Sequence, residues 1–189
     1  MAVFAAVSMD EFWSLVESAL AGHKPAHEAL VDRLIAGGSL EAILDFQERL
    51  DAIDAIICRW DIWAAAYLIG GGCSDDSFTD FRAGVIALGR DWFERVTESP
   101  DSLADHPAVI KAAAEGNDYT LFYEMFGFVC ATAYARLAND ECSFWETLEA
   151  RQQGAEKAEH DMGEKFEFDD TAEMHARLPR LAALFLGER

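Results

Sequence analysis

The sequence predicts an all-α fold: a single domain over residues 1–189, built as a bundle of about seven helices around a long central helix. Three observations carry this. Apolar residues recur at steps of three and four along most of the chain. Gly, Pro, Ser and Asp punctuate those stripes where helix ends need them. No run alternates apolar and polar residues for long enough to build a sheet.

The elements follow in order. Ser8-Met9-Asp10-Glu11 reads as a capping box, with Phe12, Leu15, Val16, Ala19 and Leu20 on one face behind it. Gly22 ends that helix. Pro25 opens a second one, which Gly37 and Gly38 stop. Ser39 caps the third and longest. Its stripe is Ile43, Phe46, Leu50, Ile53, Ile57, Trp60, Ala64 and Tyr67, a heptad-like pattern that would run about 45 Å if unbroken. Beyond Ile56 this helix is apolar nearly all round, so its second half belongs in the domain centre. Gly70-Gly71-Gly72 terminates it. A fourth helix starts at Ser74–Ser77 and carries Phe78, Phe81, Val85, Leu88 and Trp92. Glu98 to Asp101 is a break, Pro107 to Glu115 a short helix, and Gly116-Asn117-Asp118 a turn. Tyr119 to Leu137 reads as one aromatic helix, and Phe144 to about Ala158 as another. His160 to Asp170 reads as an acidic loop with a short extended piece at residues 165–168. Asp169 and Asp170 start the last helix, which Pro179 kinks or restarts.

Composition narrows the function classes. The chain has 189 residues, 51% apolar and 12% aromatic, which is too rich for disorder. With 15 basic and 35 acidic residues the formal charge is −20, which argues against binding nucleic acid or an anionic membrane surface. No apolar stretch is long enough to span a bilayer, and Met1 to Val7 lacks the basic start of a signal peptide. Cys58, Cys73, Cys130 and Cys142 match no zinc, redox or disulfide framework, and Cys58 and Cys130 read as small buried hydrophobes. Cytoplasm is the expected compartment, with no cofactor and no metal.

The densest chemistry lies between Trp60 and Arg90. Asp61, Ser74, Asp75, Asp76, Arg82 and Glu124 are the candidate ligand-binding residues. Two accounts cover them. In the first, the glycines end one helix, Ser74 or Asp75 caps the next, and Arg82 is part-buried against an acid, with Asp61 and Glu124 as its candidate partners. In the second, the carboxylates act as acid and base or hold a cation, and Arg82 orients a small anionic ligand. Gly70-Gly71-Gly72 is not a phosphate loop, because no Gly-Lys-Ser/Thr follows it. A second cluster, Asp140 to Asp170, holds 11 acids against Arg151, Lys157 and Lys165. It reads as a solvated acidic loop or as a docking surface for a basic protein partner. Within it His160, Asp161 and Glu164 fit no metal template. His23, His27, His106 and His175 show no local catalytic pattern.

Several segments together resemble a known family. They are Trp60-Asp61-Ile62-Trp63-Ala64-Ala65-Ala66-Tyr67, Ser74-Asp75-Asp76-Ser77-Phe78-Thr79-Asp80-Phe81-Arg82, Phe12-Trp13, Pro100-Asp101-Ser102-Leu103-Ala104 and Leu178-Pro179-Arg180-Leu181. The chain is similar over essentially its whole length to an uncharacterised bacterial family, domain of unknown function 4240. The resemblance implies the fold unit and a focus on Ser74–Arg82, and no activity. This sequence has Gly84 where the resemblance implies a Trp.

Three functional expectations result. The first is an acidic protein-binding or regulatory accessory module without catalysis. The second is a small-ligand or metal-dependent enzyme using a carboxylate and Arg82 pocket. The third is a homodimer built on the exposed face of the long helix.

Overall fold

The computed structural model describes residues 7–140, 142–153 and 161–187. Among these the fold is all-α, with twelve α-helices, one 3-10 helix and no strand. The backbone gathers into two compact units. One comprises Met1–Ile53 with Met125–Glu159, the other Asp54–Glu124 with His160–Arg189.

In the first unit, α1 (Met9–Leu20) begins with the capping box: the Glu11 amide donates to Ser8 Oγ at 3.2 Å, and Glu11 Oε2 accepts from the Ser8 amide at 2.9 Å. Its buried face is Phe12, Trp13, Val16 and Ala19, rotated from the predicted stripe so that Leu20 stays exposed. Pro25 leads into α2 (Ala26–Ala36). Ser39 caps α3 (Leu40–Ile56) by accepting from the Ala42 amide at 3.2 Å. Ile43, Phe46, Leu50 and Ile53 of the heptad-like stripe are buried inside the protein.

Arg151 meets three carboxylates of α3 from α10 (Ser143–Gln152). It pairs with Asp45, with Glu48 at 2.9 Å and with Glu41 at 3.3 Å. Asp45 is buried and draws its compensation from this arginine. The residues predicted helical beyond Gln153, and Glu141, Glu156, Lys157, Glu159 and His160 of the acidic cluster, lie outside the described residues.

The long central helix is a correction. It stops at Ile56, and α4 (Trp60–Gly70) restarts after a three-residue break. Neither Gly nor Pro causes this. Arg59 is extended at φ −135° and ψ 150°, and the Trp60 amide, lost to the helix, donates to Met162 O at 3.0 Å. Arg59 holds the break: Nη1 donates to Thr97 O at 2.8 Å, while Nε and Nη2 reach Asp61 at 3.0 and 2.5 Å. Gly71, at φ 61°, ends α4.

Two further predicted helices are divided. Ser74 caps α5 (Asp75–Ile86), and α6 (Arg90–Glu98) starts anew because Gly89 turns the chain at φ 91°. The 3-10 turn Pro100–Asp105 leads to α7 (Pro107–Glu115). Tyr119 to Tyr123 is not helical, and helix resumes as α8 (Glu124–Gly127) and α9 (Val129–Ala138). At the C-terminal end α11 (Thr171–Arg177) is capped by Asp170, and Pro179 restarts the chain as α12 (Pro179–Leu186), as the sequence suggested. No helix among the described residues is long and apolar enough to cross a membrane.

Candidate functional site

The Ser74–Arg82 segment is shaped first by its helix. Ser74 Oγ accepts from the Ser77 amide at 3.2 Å, and Asp75 and Asp76 follow in the first turn, exposed, where carboxylates favour the helix dipole. One turn on, Phe78 lies at 4.8 Å and 8° from Trp63, which in turn lies at 5.2 Å and 2° from Trp60. Three rings from α4 and α5 therefore form one parallel stack.

Arg82 closes the end of this stack, with Nη2 paired and Nε buried without a hydrogen-bond partner among the described residues. Its guanidinium sits 4.9 Å over the Phe78 ring, and its side chain is only 11% exposed. Nη2 pairs with Asp54 at 3.3 Å and donates to Thr79 Oγ1 at 3.3 Å. The acids predicted to pair with Arg82 are placed otherwise: Asp61 belongs to Arg59, and Glu124 is exposed. The actual partner, Asp54, lies on the last turn of α3, a stretch the sequence shows only as a charged face.

The structure does gather two predicted residues with one that was not singled out. Asp76 and Asp80 are four apart on α5, hence on one face. The Tyr123 amide donates to Asp80 O at 2.9 Å, which starts α8 beside α5 and brings Glu124 to the same place. Asp80 is part-buried there. Burial first, then the charges of Glu124 and Asp76, push its carboxyl above the usual carboxylate range. The four-residue spacing from Asp76 is the sequence signal that could have found it. Among the described residues no group of three or more His, Cys, Asp or Glu side chains is arranged to hold a metal ion. Asp76, Asp80 and Glu124 are like charges in proximity.

This predicts a measurable sign. An acid whose folded-state pKa is raised costs stability above that pKa, and the cost fades as pH falls through it. Asp80→Asn should raise the unfolding midpoint at pH 7, and the gap to wild type should close near the ordinary value of 3.8. Denaturation at both pH values measures it, and a variant less stable than wild type at pH 7 contradicts it.

Gly84 explains the departure from the expected Trp. A Cβ at this position would stand 1.7 Å from Leu121 O. The loop after α7 therefore runs directly over α5, with Leu121 at φ 71°. No larger residue fits under that loop. Cys73 offers no ready nucleophile, since burial raises its thiol pKa to about 11.

No match to the chain was found among curated proteins or among solved structures. The sequence pattern of one family, described as "Protein of unknown function (DUF4240)", matches residues 8–136, about two thirds of the chain. Leu178-Pro179-Arg180-Leu181 falls outside that match, so the likeness is narrower than the whole length. The segment of stacked rings, the Ser74 cap, the Arg82 anchor and the acidic patch all lie within it, and by that match the chain belongs to the DUF4240 family.

Proposed function

We propose that this protein is a non-catalytic binding module, regulatory or accessory to a basic protein partner, and that the acidic face of α5 receives that partner. The observation that carries the reading is the juxtaposition of Asp76, Asp80 and Glu124, reinforced by Asp75 beside them. Like charges gathered this way cost stability, and such a cost is characteristic of surfaces shaped for binding rather than folding. A Lys- or Arg-rich segment would relieve it, and the net charge of −20 would speed the encounter. The fate of Arg82 supports the same view, because its cation is occupied by Asp54 and Phe78.

The test compares wild type with the triple variant Asp76→Asn, Asp80→Asn, Glu124→Gln, using a Lys/Arg-rich peptide probe at low and physiological salt. Wild type should bind at both salts, and the variant should bind at least about tenfold more weakly, the loss of roughly 1.4 kcal/mol or more. Equal binding by the two proteins would remove the reading. The enzyme alternative, a small-ligand site at Asp75, Asp76 and Arg82, draws its remaining support from the acids gathered around Asp80 beside it. It predicts that a small anionic metabolite raises the wild-type unfolding midpoint and that Asp80→Asn abolishes any turnover found.

A further inference from the structure

The stacked rings of α4 and α5 have a cover. Residues 161–169 form neither helix nor strand and run across Trp60, Trp63 and Tyr67. Phe168 is the plug. Its ring centroid lies 5.4 Å from Tyr67, 6.1 Å from Trp60 and 6.2 Å from Trp63. Phe166 packs edge-on to Phe168 at 5.3 Å and lies under Arg177 at 4.3 Å. The charges alternate with the rings. Lys165 Nζ sits 4.9 Å over Trp60, Glu164 pairs with Arg177 at 3.0 Å, and the Tyr67 hydroxyl donates to Asp169.

This attachment differs from the packing of the helices. Between this strap and α4, the backbone contributes a single hydrogen bond among the described residues, Trp60 N to Met162 O. Everything else is side chain, and both Phe residues remain part-exposed. The platform is built from the helices' own contacts: Trp63 stacks at 2° on Trp60 and at 8° on Phe78, and its indole donates to Cys73 O at 3.0 Å. A preformed aromatic groove bound by an extended segment through alternate side chains is how peptide-binding domains hold their ligands. The platform lies inside the family match, which ends at Arg136, and the strap lies outside it.

We propose that residues 161–169 are an internal ligand, held in a groove that also receives an extended Phe-acid-Phe-acid segment of a partner protein. The covalent link gives the strap a high local concentration, so a partner competes only where the strap lets go. This surface is separate from the acidic α5 patch and stands or falls independently of it.

The test uses the full chain and a fluorescently labelled peptide with the sequence of residues 163–170. Wild type should bind it weakly. The variant Phe166→Ala, Phe168→Ala empties the groove and should bind at least tenfold more tightly, with a change in tryptophan emission. A peptide with both Phe replaced by Ala should not bind. Should that variant fail to fold, Glu164→Gln, Asp169→Asn loosens the strap, leaves the groove intact and should still gain at least threefold. A folded variant of either kind that binds no better than wild type overturns the proposal and leaves the strap a structural cover.

Discussion

Gly84→Ala should be strongly destabilising. The new Cβ would stand 1.7 Å from Leu121 O and 2.7 Å from Leu121 C. Both are backbone atoms, so no side-chain rotation relieves the clash. Leu121 already adopts φ 71°, which leaves its loop little room to move. Relief requires lifting Leu121 to Tyr123 from α5, which breaks the Tyr123 N to Asp80 O bond at 2.9 Å. Phe122 would move with it, and its ring packs at 5.4 Å against the buried Phe81. Overpacking of this kind costs about 3 kcal/mol, toward the upper end of its usual range. Gly116→Ala is the control. Unlike the helical Gly84 it has a positive φ, 67°, and a Cβ there meets nothing within 4 Å. Its cost should be about 1 kcal/mol, the backbone penalty alone. Urea denaturation of both variants decides this, and equal losses for the two would show that the loop yields to α5.

The same loop shows where sequence reasoning reaches its limit. Ser8, Ser74, Pro25, Pro107, Gly71 and Pro179 set helix ends through bonds or dihedrals a few residues away, and all were legible. Tyr119 to Tyr123 carries no breaker, so periodicity extends the helix through it. What unwinds it is an approach to Gly84, far away in the chain. A lone Gly within α5 gives no hint of which backbone will cross it.

The break between α3 and α4 has the same character. The sequence Ile56-Ile57-Cys58-Arg59 continues an apolar stripe, and local propensity favours one long helix. Met162 O takes the freed Trp60 amide, and Thr97 O anchors the Arg59 guanidinium. The site was legible to the same degree. The Ser74 cap and the part-burial of Arg82 follow from neighbouring residues. The choice of Asp54 over Asp61 depends on where the break turns the chain, and the meeting of Asp80 with Glu124 depends on the loop over Gly84.

Asp101 should give the second large effect, and its mechanism is a cap supplied from a distance. Helix α12 begins at Pro179, which has no amide hydrogen, so its first free donors belong to Arg180 and Leu181. Asp101, on the 3-10 turn, accepts both: from Arg180 at 3.1 and 3.2 Å and from Leu181 at 2.9 Å. The carboxylate is buried, so water cannot replace it without rearrangement. A helix of eight residues is not stable alone. It holds because Leu181 and Ala182 are fully buried and because Asp101 fixes where it starts. Asp101→Ala should cost about 2–4 kcal/mol, combining a lost cap with stranded amides. Asp101→Asn keeps an acceptor oxygen and should cost less than half as much. Arg180 also pairs with Asp105, but both side chains are at least half exposed, so Asp105→Asn should cost the least of the three. Denaturant unfolding should rank the three as Ala, then Asn, then the Asp105 variant. If Asp101→Ala falls within about 1 kcal/mol of wild type, α12 is positioned by its apolar face and the remote cap is dispensable.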